Sequence, residues 1–528
     1  MVDDSEQPLP LERPGLRRIT FGLPIAIFTA LIAASFASPD VFLQVASASN
    51  DWILRMFGNV FAFAAFAFVL TCIWAFVSPL GKIRLGGRDA QPLLSRWNWF
   101  AITLSTTIAI GILFWATAEP IYHLYDTGGA AQVGSAQAQL FAMSSLYMHW
   151  AFTPYAIYTV PALAFALCYH NLKLPFSLSS PIAAVIGRPV PGIAAQLLDA
   201  ICLLSLLFGL AASLGAGIMS ISGGIDRITP LSTGPVLLAL VAAGIVAAFF
   251  LSSVSGLQRG IRVLSDYNTK LFAMLAIFIL LAGPTSQIVM LGVKSFGIYI
   301  TEFIPRSLLL KPYDNDEWLN AWTVFYFANW MAWAPLSAMF LARIARGYTV
   351  REFIAMNLAA PAMFSVVWMM IFGGFAIEYE SAAPGALKSV LDSGGPEFVL
   401  YRLLEAVPFG LFVAALFVIL SFLSYVTAAD SNTDVLARLS MRGESDMQAA
   451  AQTDRQSGGQ SGGRRHIWIR LIWASLVGVA AWVMVSFSGI EGVKMLSNLG
   501  GFPALFVISL FCMVLIWLGT RGLDQLRG

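Results

Sequence analysis

The stretch "AWTVFYFANWMAWAP", residues 321–335, carries Trp322, Trp330 and Trp333 together with Phe325, Tyr326 and Phe327, and sets one amide, Asn329, among them. It lies inside an apolar run, 318–344, long enough to cross a bilayer core of roughly 30 Å at 1.5 Å per residue. The rest of the chain has the same character. Of 528 residues 58% are hydrophobic and only 11% charged, against about 25% charged in an ordinary soluble domain. With a mean hydropathy of +0.76 the chain reads as an all-α integral membrane protein. A net charge of +2 gives no footing for nucleic acid. The four cysteines, Cys72, Cys168, Cys202 and Cys512, fall far apart in apolar runs and read as packing residues, with neither a disulfide nor a metal site.

Working outward, the hydropathy divides into twelve expected spans, at about 20–37, 52–78, 97–118, 141–169, 192–222, 233–256, 261–284, 318–344, 352–377, 409–440, 467–488 and 494–519. Placing both termini in the cytoplasm puts 22 of the 31 Lys and Arg on inner segments and 8 on outer ones, leaving Lys270 within a span. That bias is the positive-inside pattern, and implies a multi-pass protein of the plasma (inner) membrane. Segment 285–317 mixes apolar residues with Lys294, Glu302, Arg306 and Lys311, as an external amphipathic helix would. The Gly/Ser/Gln-rich run 443–466 reads as a disordered cytoplasmic loop. The start, MVDDSEQ, lacks a signal-peptide pattern, and 520–528 is too short for a basic regulatory tail.

At 100° per residue Trp322, Tyr326, Trp330 and Trp333 fall within about 80° on a helix, and Asn329 lies on the same face. One such Trp is ordinary packing or lipid contact. Several on one face, away from the interfacial belts, point to a site. A second cluster, "HWAFTPYAIY" at 149–158, holds Trp150, Tyr155 and Tyr158 around Pro154, which removes a backbone hydrogen bond and favours a kink beside a cavity. Two aromatic faces on different helices close into a box that suits quaternary ammonium groups, at roughly 0.5–2 kcal/mol per good contact. In "TTIAIGILFWATAEP", 106–120, Gly111 and Glu119–Pro120 mark a helix able to loosen near its middle, where freed N–H groups hold carboxylates in carriers. Packing is the plainer role of such a glycine. The four histidines (His123, His149, His170, His466) look scattered, so neither catalysis nor metal binding is expected and the chain is not read as an enzyme. A channel has no repeated pore lining here.

These motifs resemble the betaine/choline/carnitine transporter (BCCT) family over nearly the whole chain. Its eighth-span signature, W-T-x-x-Y-W-x-W-W, is matched by Trp322, Thr323, Tyr326 and Trp330, with Phe327 and Asn329 at two of its Trp positions, followed by "WAPLSAMFLARIARGYTVREF". "FGLAASLGAGI" at 208–218 and "VTAADS" at 426–431 are similar to two further family runs. The resemblance implies a leucine-transporter-type 5+5 inverted repeat: residues 1–19 a cytoplasmic terminus, 20–96 two extra helices, 97–284 the first repeat, and 318–519 the second. It implies a substrate box of Trp150, Tyr155, Tyr158 and Trp330, with Trp333 on the inward path, and a homotrimer as a common assembly.

Departures from the family pattern bear on substrate and coupling. Its span-3 Gly-x-Gly-x-Gly is here Thr107, Ala109 and Gly111, which weakens the usual carboxylate-binding backbone. Tyr155 stands where Trp is frequent. Asn329 replaces a Trp, either as a polar contact to substrate or as a helix-packing amide. The hydroxyl pair of sodium-coupled members is here Thr427 followed by Ala428, and Ile108 and Ser424 are the other positions that the resemblance assigns to ion coupling. Lys270 then has two readings: a cation filling the space of a missing sodium, or a side chain that snorkels or pairs with Asp266. The expectation is a secondary active transporter for a small onium zwitterion of the betaine, choline, carnitine or dimethylsulfoniopropionate type, sodium-independent, with no cofactor. An amino sulfonate substrate and Na+ symport are the alternatives.

Overall fold

The computed structural model describes residues 16–107, 111–255, 258–310, 316–441 and 462–526. Two isolated β-bridges, Leu16 with Met441 and Arg84 with Thr349, are the only extended pairings among them. The first helices are α1 (Arg18–Ala37), α2 (Pro39–Val77), α3 (Arg96–Thr107) and α4 (Gly111–Tyr125). They are followed by α5 (Ala136–Trp150), α6 (Phe152–Ala166), α7 (Ser180–Ile186), α8 (Gly192–Ile228), α9 (Pro235–Ser255) and α10 (Gln258–Ala282). Next come α11 (Thr285–Thr301), α12 (Phe303–Ser307), α13 (Asp316–Leu319) and α14 (Phe325–Ile344). The remainder is α15 (Val350–Ile354), α16 (Ala360–Ala382), α17 (Ala386–Ser393), α18 (Pro396–Leu404), α19 (Gly410–Ser440), α20 (Gly462–Arg521) and the short α21 (Leu523–Leu526).

Local chemistry explains the breaks. Ser38 separates α1 from α2, and Pro39 opens α2 at a position where its missing N–H is harmless. Helix α2 therefore begins well before the expected start at Trp52, because the polar run 46–51 continues the helix. At Gly283–Pro284 the axis turns by 107°, so α11 leaves the direction of α10. Thr349 and Glu352 form a capping box at the start of α15, each side chain meeting the other's backbone N–H. Within α20 Gly489 adopts φ 54°, ψ −133°, between the two spans expected at 467–488 and 494–519. Three π-helical turns, Leu167–Asn171, Asn320–Val324 and Ala355–Ala359, adjoin α6, α14 and α16.

Seven helices among the described residues are long and apolar enough to cross a membrane, or eight if α10 and α11 count as one bent span. The chain is an all-helical, multi-pass membrane protein. Its centre is the α5–α6 segment, 94% buried along its apolar window, whereas α1, at 22%, is peripheral. Helices α2, α14 and α20 pack on α6, and α4, α11 and α16 on α5. Small residues permit the closest crossings: a Cβ on Gly501 of α20 would lie 2.3 Å from the Ala328 carbonyl oxygen of α14. Most of the expected loop 443–466 lies outside the described residues, and helix α20 begins at Gly462, inside the range expected to be loop.

Candidate functional site

The site grows from a helix that stops and restarts. Ala151, at φ −108° and ψ −120°, interrupts what the sequence presents as one span at 141–169. Pro154, in the first turn of α6, has no N–H to offer the preceding turn. The polar groups released by the break find partners on other helices. The indole N–H of Trp330 donates to the His149 carbonyl at 3.1 Å, and the Phe152 N–H donates to the Tyr299 hydroxyl at 3.3 Å. Leaving either group unmet inside the bundle would cost about 1–3 kcal/mol, so these bonds hold the break open.

The restart aims three rings at one indole. Trp330 meets Trp150 at 5.6 Å between ring centroids, Tyr155 at 5.7 Å and Tyr158 at 5.3 Å. The four side chains are at most 2% exposed. Interplanar angles of 77°, 54° and 66° present ring edges to ring faces, the arrangement that the aromatic quadrupole favours. Tyr155 keeps its hydroxyl bonded to Ser365 at 2.8 Å. Gly111, at the start of α4, lies against the outer edge of the cluster. A Cβ there would come 3.2 Å from Trp150 and 3.5 Å from Trp115. The structure thus brings Gly111, Trp150, Tyr155, Tyr158 and Trp330 together.

Other expected residues stand elsewhere. Asn329 accepts a hydrogen bond from the Ser497 hydroxyl at 3.0 Å, which ties it to α20. Trp333 packs on Gly209 of α8, whose Cβ would lie 3.1 Å from the indole nitrogen. Lys270 is exposed on α10, its ammonium 5.7 Å from the centroid of the exposed Tyr267 ring, and is not brought to the aromatic cluster. The Ser424 hydroxyl accepts from the Asn268 amide at 2.6 Å. Ile108 and Ala109 lie outside the described residues, as do the side chains of Thr427 and Asp266. Trp322, inside the π-helical turn, packs on His123 at 4.6 Å and Tyr122 at 5.1 Å, with the Lys494 ammonium 4.3 Å from its ring.

The reading of the histidines as scattered is corrected. Glu119 of α4 accepts from both neighbours' rings through one oxygen: Oε1 lies 2.6 Å from His149 Nδ1 and 3.1 Å from His123 Nε2. Its other oxygen, Oε2, accepts from the Trp150 indole at 2.8 Å. His149 Nε2 reaches the Thr323 hydroxyl at 3.1 Å, and the His149 ring stacks on Tyr326 at 4.7 Å. All three cluster residues are buried. A four-residue step from Glu119 to His123 is the helical spacing that could have signalled the first pair. The thirty residues to His149 carry no such signal.

Apolar spans around a buried aromatic cluster, at a point where one helix breaks, define the class as a membrane protein with a candidate site inside its bundle. Residues 19–521 match the model of the BCCT, betaine/carnitine/choline family of transporters, and the chain belongs to that family. It is a transporter and not an enzyme. A glycine betaine transporter of Bacillus subtilis is 32% identical, covering 79% of this chain and 81% of its own length. Glycine betaine transporter 1 of Vibrio parahaemolyticus is 30% identical over 89% of this chain and 85% of itself. A glycine betaine/proline/choline/ectoine transporter of the same Vibrio is also 30% identical, over 94% and 86%. A solved Na+-coupled sialic acid symporter overlays 88% of this chain and 86% of its own at a TM-score of 0.44 and 14% identity, a distance at which the likeness carries no argument.

Proposed function

We propose that this chain is a secondary active transporter that carries a small quaternary-ammonium or related onium solute, of the betaine, choline, carnitine or dimethylsulfoniopropionate type, by alternating access through the Trp330 box. The observation that carries the reading is Trp330 itself, met by Trp150, Tyr155 and Tyr158 at 5.3–5.7 Å in a fully buried setting. A trimethylammonium group is large, weakly hydrated and unable to donate hydrogen bonds. Ring faces stabilise it where a carboxylate or water would suit a smaller cation better. The family relatives named for glycine betaine and choline support the same class of solute.

The break at Ala151 supports movement at the site, because a helix in two halves can reorient one half without unwinding the other. The twelve-span, 5+5 inverted-repeat organisation, the plasma-membrane placement with both termini inside, and a homotrimer are part of this proposal. So is sodium independence, which rests on Ala428 following Thr427 where sodium-coupled members have a second hydroxyl. Lys270, exposed on α10, gives it no support from position. An amino sulfonate substrate is the alternative, for which the Asn329 amide nitrogen would be the donor, since Ser497 occupies only the amide oxygen.

The experiment is uptake of labelled glycine betaine, choline, carnitine and dimethylsulfoniopropionate into proteoliposomes, with unlabelled solute trapped inside. Saturable counterflow of at least one compound is the expected result. Uptake of taurine with none of the four onium compounds would overturn the reading.

A further inference from the structure

Glu119, His123 and His149 form a buried polar cluster that meets the box at both of its indoles. We propose that Glu119 is a positioning residue for the onium box, its carboxyl group fixing the plane of the Trp150 wall. This inference rests on the aromatic box holding an onium group.

An indole has one polar atom, and that atom can only donate. The Trp150 N–H donates to Glu119 Oε2 at 2.8 Å, in a setting where both side chains are buried. A buried N–H without an acceptor is costly, so removing the oxygen favours rotamers that turn the ring towards another partner. The far end of the same ring lies against Gly111, where a Cβ would come 3.2 Å from Cη2. Held at both ends, the indole keeps the orientation that sets it 5.6 Å from Trp330 at an interplanar angle of 77°.

Glu119 is held in its turn. Oε1 meets His149 Nδ1 at 2.6 Å and His123 Nε2 at 3.1 Å, so the carboxyl group cannot swing away from Trp150 without breaking both contacts. His149 is braced on its other side, with Nε2 3.1 Å from the Thr323 hydroxyl and its ring stacked on Tyr326 at 4.7 Å. The His149 carbonyl accepts from the Trp330 indole at 3.1 Å. Both indoles of the box are thus referred to one frame, just before Ala151 interrupts the helix. Tyr155 is anchored separately, by Ser365 of α16 at 2.8 Å. The three cluster atoms meet one another at hydrogen-bond lengths instead of facing a shared centre, which suits a brace better than a metal ion.

The plane of the ring matters because a cation is attracted to the face of the quadrupole and not to its edge. One well-placed ring contact corresponds to about a two- to thirtyfold change in affinity. A carboxyl group that only stabilised the fold would leave the affinity of the folded protein where it was. The donor pattern also identifies the substitution that should be tolerated. In Glu119→Gln the carboxamide oxygen can accept from Trp150 while its NH2 donates to both imidazoles, each presenting its bare nitrogen. His149 Nε2–H then donates to the Thr323 hydroxyl, which accepts as readily as it donates. Every contact of the cluster survives. Glu119→Leu keeps a side chain of comparable size and offers no acceptor.

The test titrates radiolabelled choline onto the purified full-length chain in detergent, with thermal melting followed alongside so that affinity refers to folded protein. Expected is a loss of about tenfold in Glu119→Leu and a change within about twofold in Glu119→Gln. In a Trp150→Phe background, which keeps a ring but has no N–H to hold, Glu119→Leu should cost less than about twofold more. If Glu119→Leu does not fold, Glu119→Asp, which withdraws the oxygens by one methylene, is read by the same two comparisons. Three results would each overturn the inference and leave the box reading standing: wild-type affinity in Glu119→Leu, an equal loss in Glu119→Gln, or an equal loss with and without the Trp150 indole. A wild type that binds none of choline, glycine betaine, carnitine and dimethylsulfoniopropionate would overturn the box reading and this inference with it.

Discussion

Asn329 accepts from Ser497 at 3.0 Å, so a residue that the helical face groups with the rings is held by the neighbouring helix. A face about 80° wide is too coarse to separate the two environments. Adjacent positions on it, Asn329 and Trp330, turn one side chain to α20 and the other to α6. The carboxamide oxygen is tied to α20 by this bond. Asn329→Ala and Ser497→Ala should each lower stability by about 1 kcal/mol, and the double variant should lose less than the sum. Thermal unfolding in detergent measures this, and substrate affinity should stay within about twofold. A tenfold affinity loss in Asn329→Ala with unchanged melting would return the amide to the site. Trp322 is separated from the box by the π-helical turn Asn320–Val324, which shifts its register relative to Tyr326 and places it on His123. Trp322→Ala should accordingly weaken substrate binding less than any of the four box substitutions, read by radioligand titration.

Two glycines separate the roles of packing and site at the scale of the helices. Gly501 lets α20 touch the α14 backbone, and neither backbone can retreat from an added Cβ at 2.3 Å. Gly501→Ala should lower the melting temperature, at a cost of about 1–3 kcal/mol from overpacking. Gly111 faces the tip of the Trp150 ring at 3.2 Å and the edge of Trp115 at 3.5 Å, and a small ring movement accommodates a methyl group. Gly111→Ala should leave melting nearly unchanged and weaken substrate affinity by displacing a wall of the box; equal effects of the two substitutions on melting would refute this division. The aromatic cluster was legible because Trp150, Tyr155, Tyr158 and Trp330 are unusual residue types at helical spacings in apolar runs. The Glu119 cluster was not. Its third member is thirty residues away on another helix, and the break that follows it at Ala151, three residues before Pro154, cannot be read from spacing. Proline announced a kink near that point, and the structure puts the interruption one turn earlier, where the missing N–H is felt.

For the molecule as a whole, composition sufficed for the all-helical membrane class, because few charges and long apolar runs leave no other way to satisfy the backbone. The number of crossings was less accessible. Helix α20 merges two expected spans around Gly489, and α10–α11 bends by 107° within one apolar stretch, so length and hydropathy count them differently from topology. Replacing Na+ by K+ on both sides of a proteoliposome should leave onium uptake unchanged, because Ala428 removes one hydroxyl from the coupling position; uptake that collapses without Na+ would contradict that reading. The account turns on Trp330 as the centre of an onium box in a carrier. Its most direct test is counterflow of labelled choline and glycine betaine into proteoliposomes containing either the wild type or Trp330→Ala, with reconstitution and melting temperature matched. Saturable counterflow in the wild type and its loss in Trp330→Ala is the expected result, whereas undiminished counterflow in a folded Trp330→Ala protein would contradict the account.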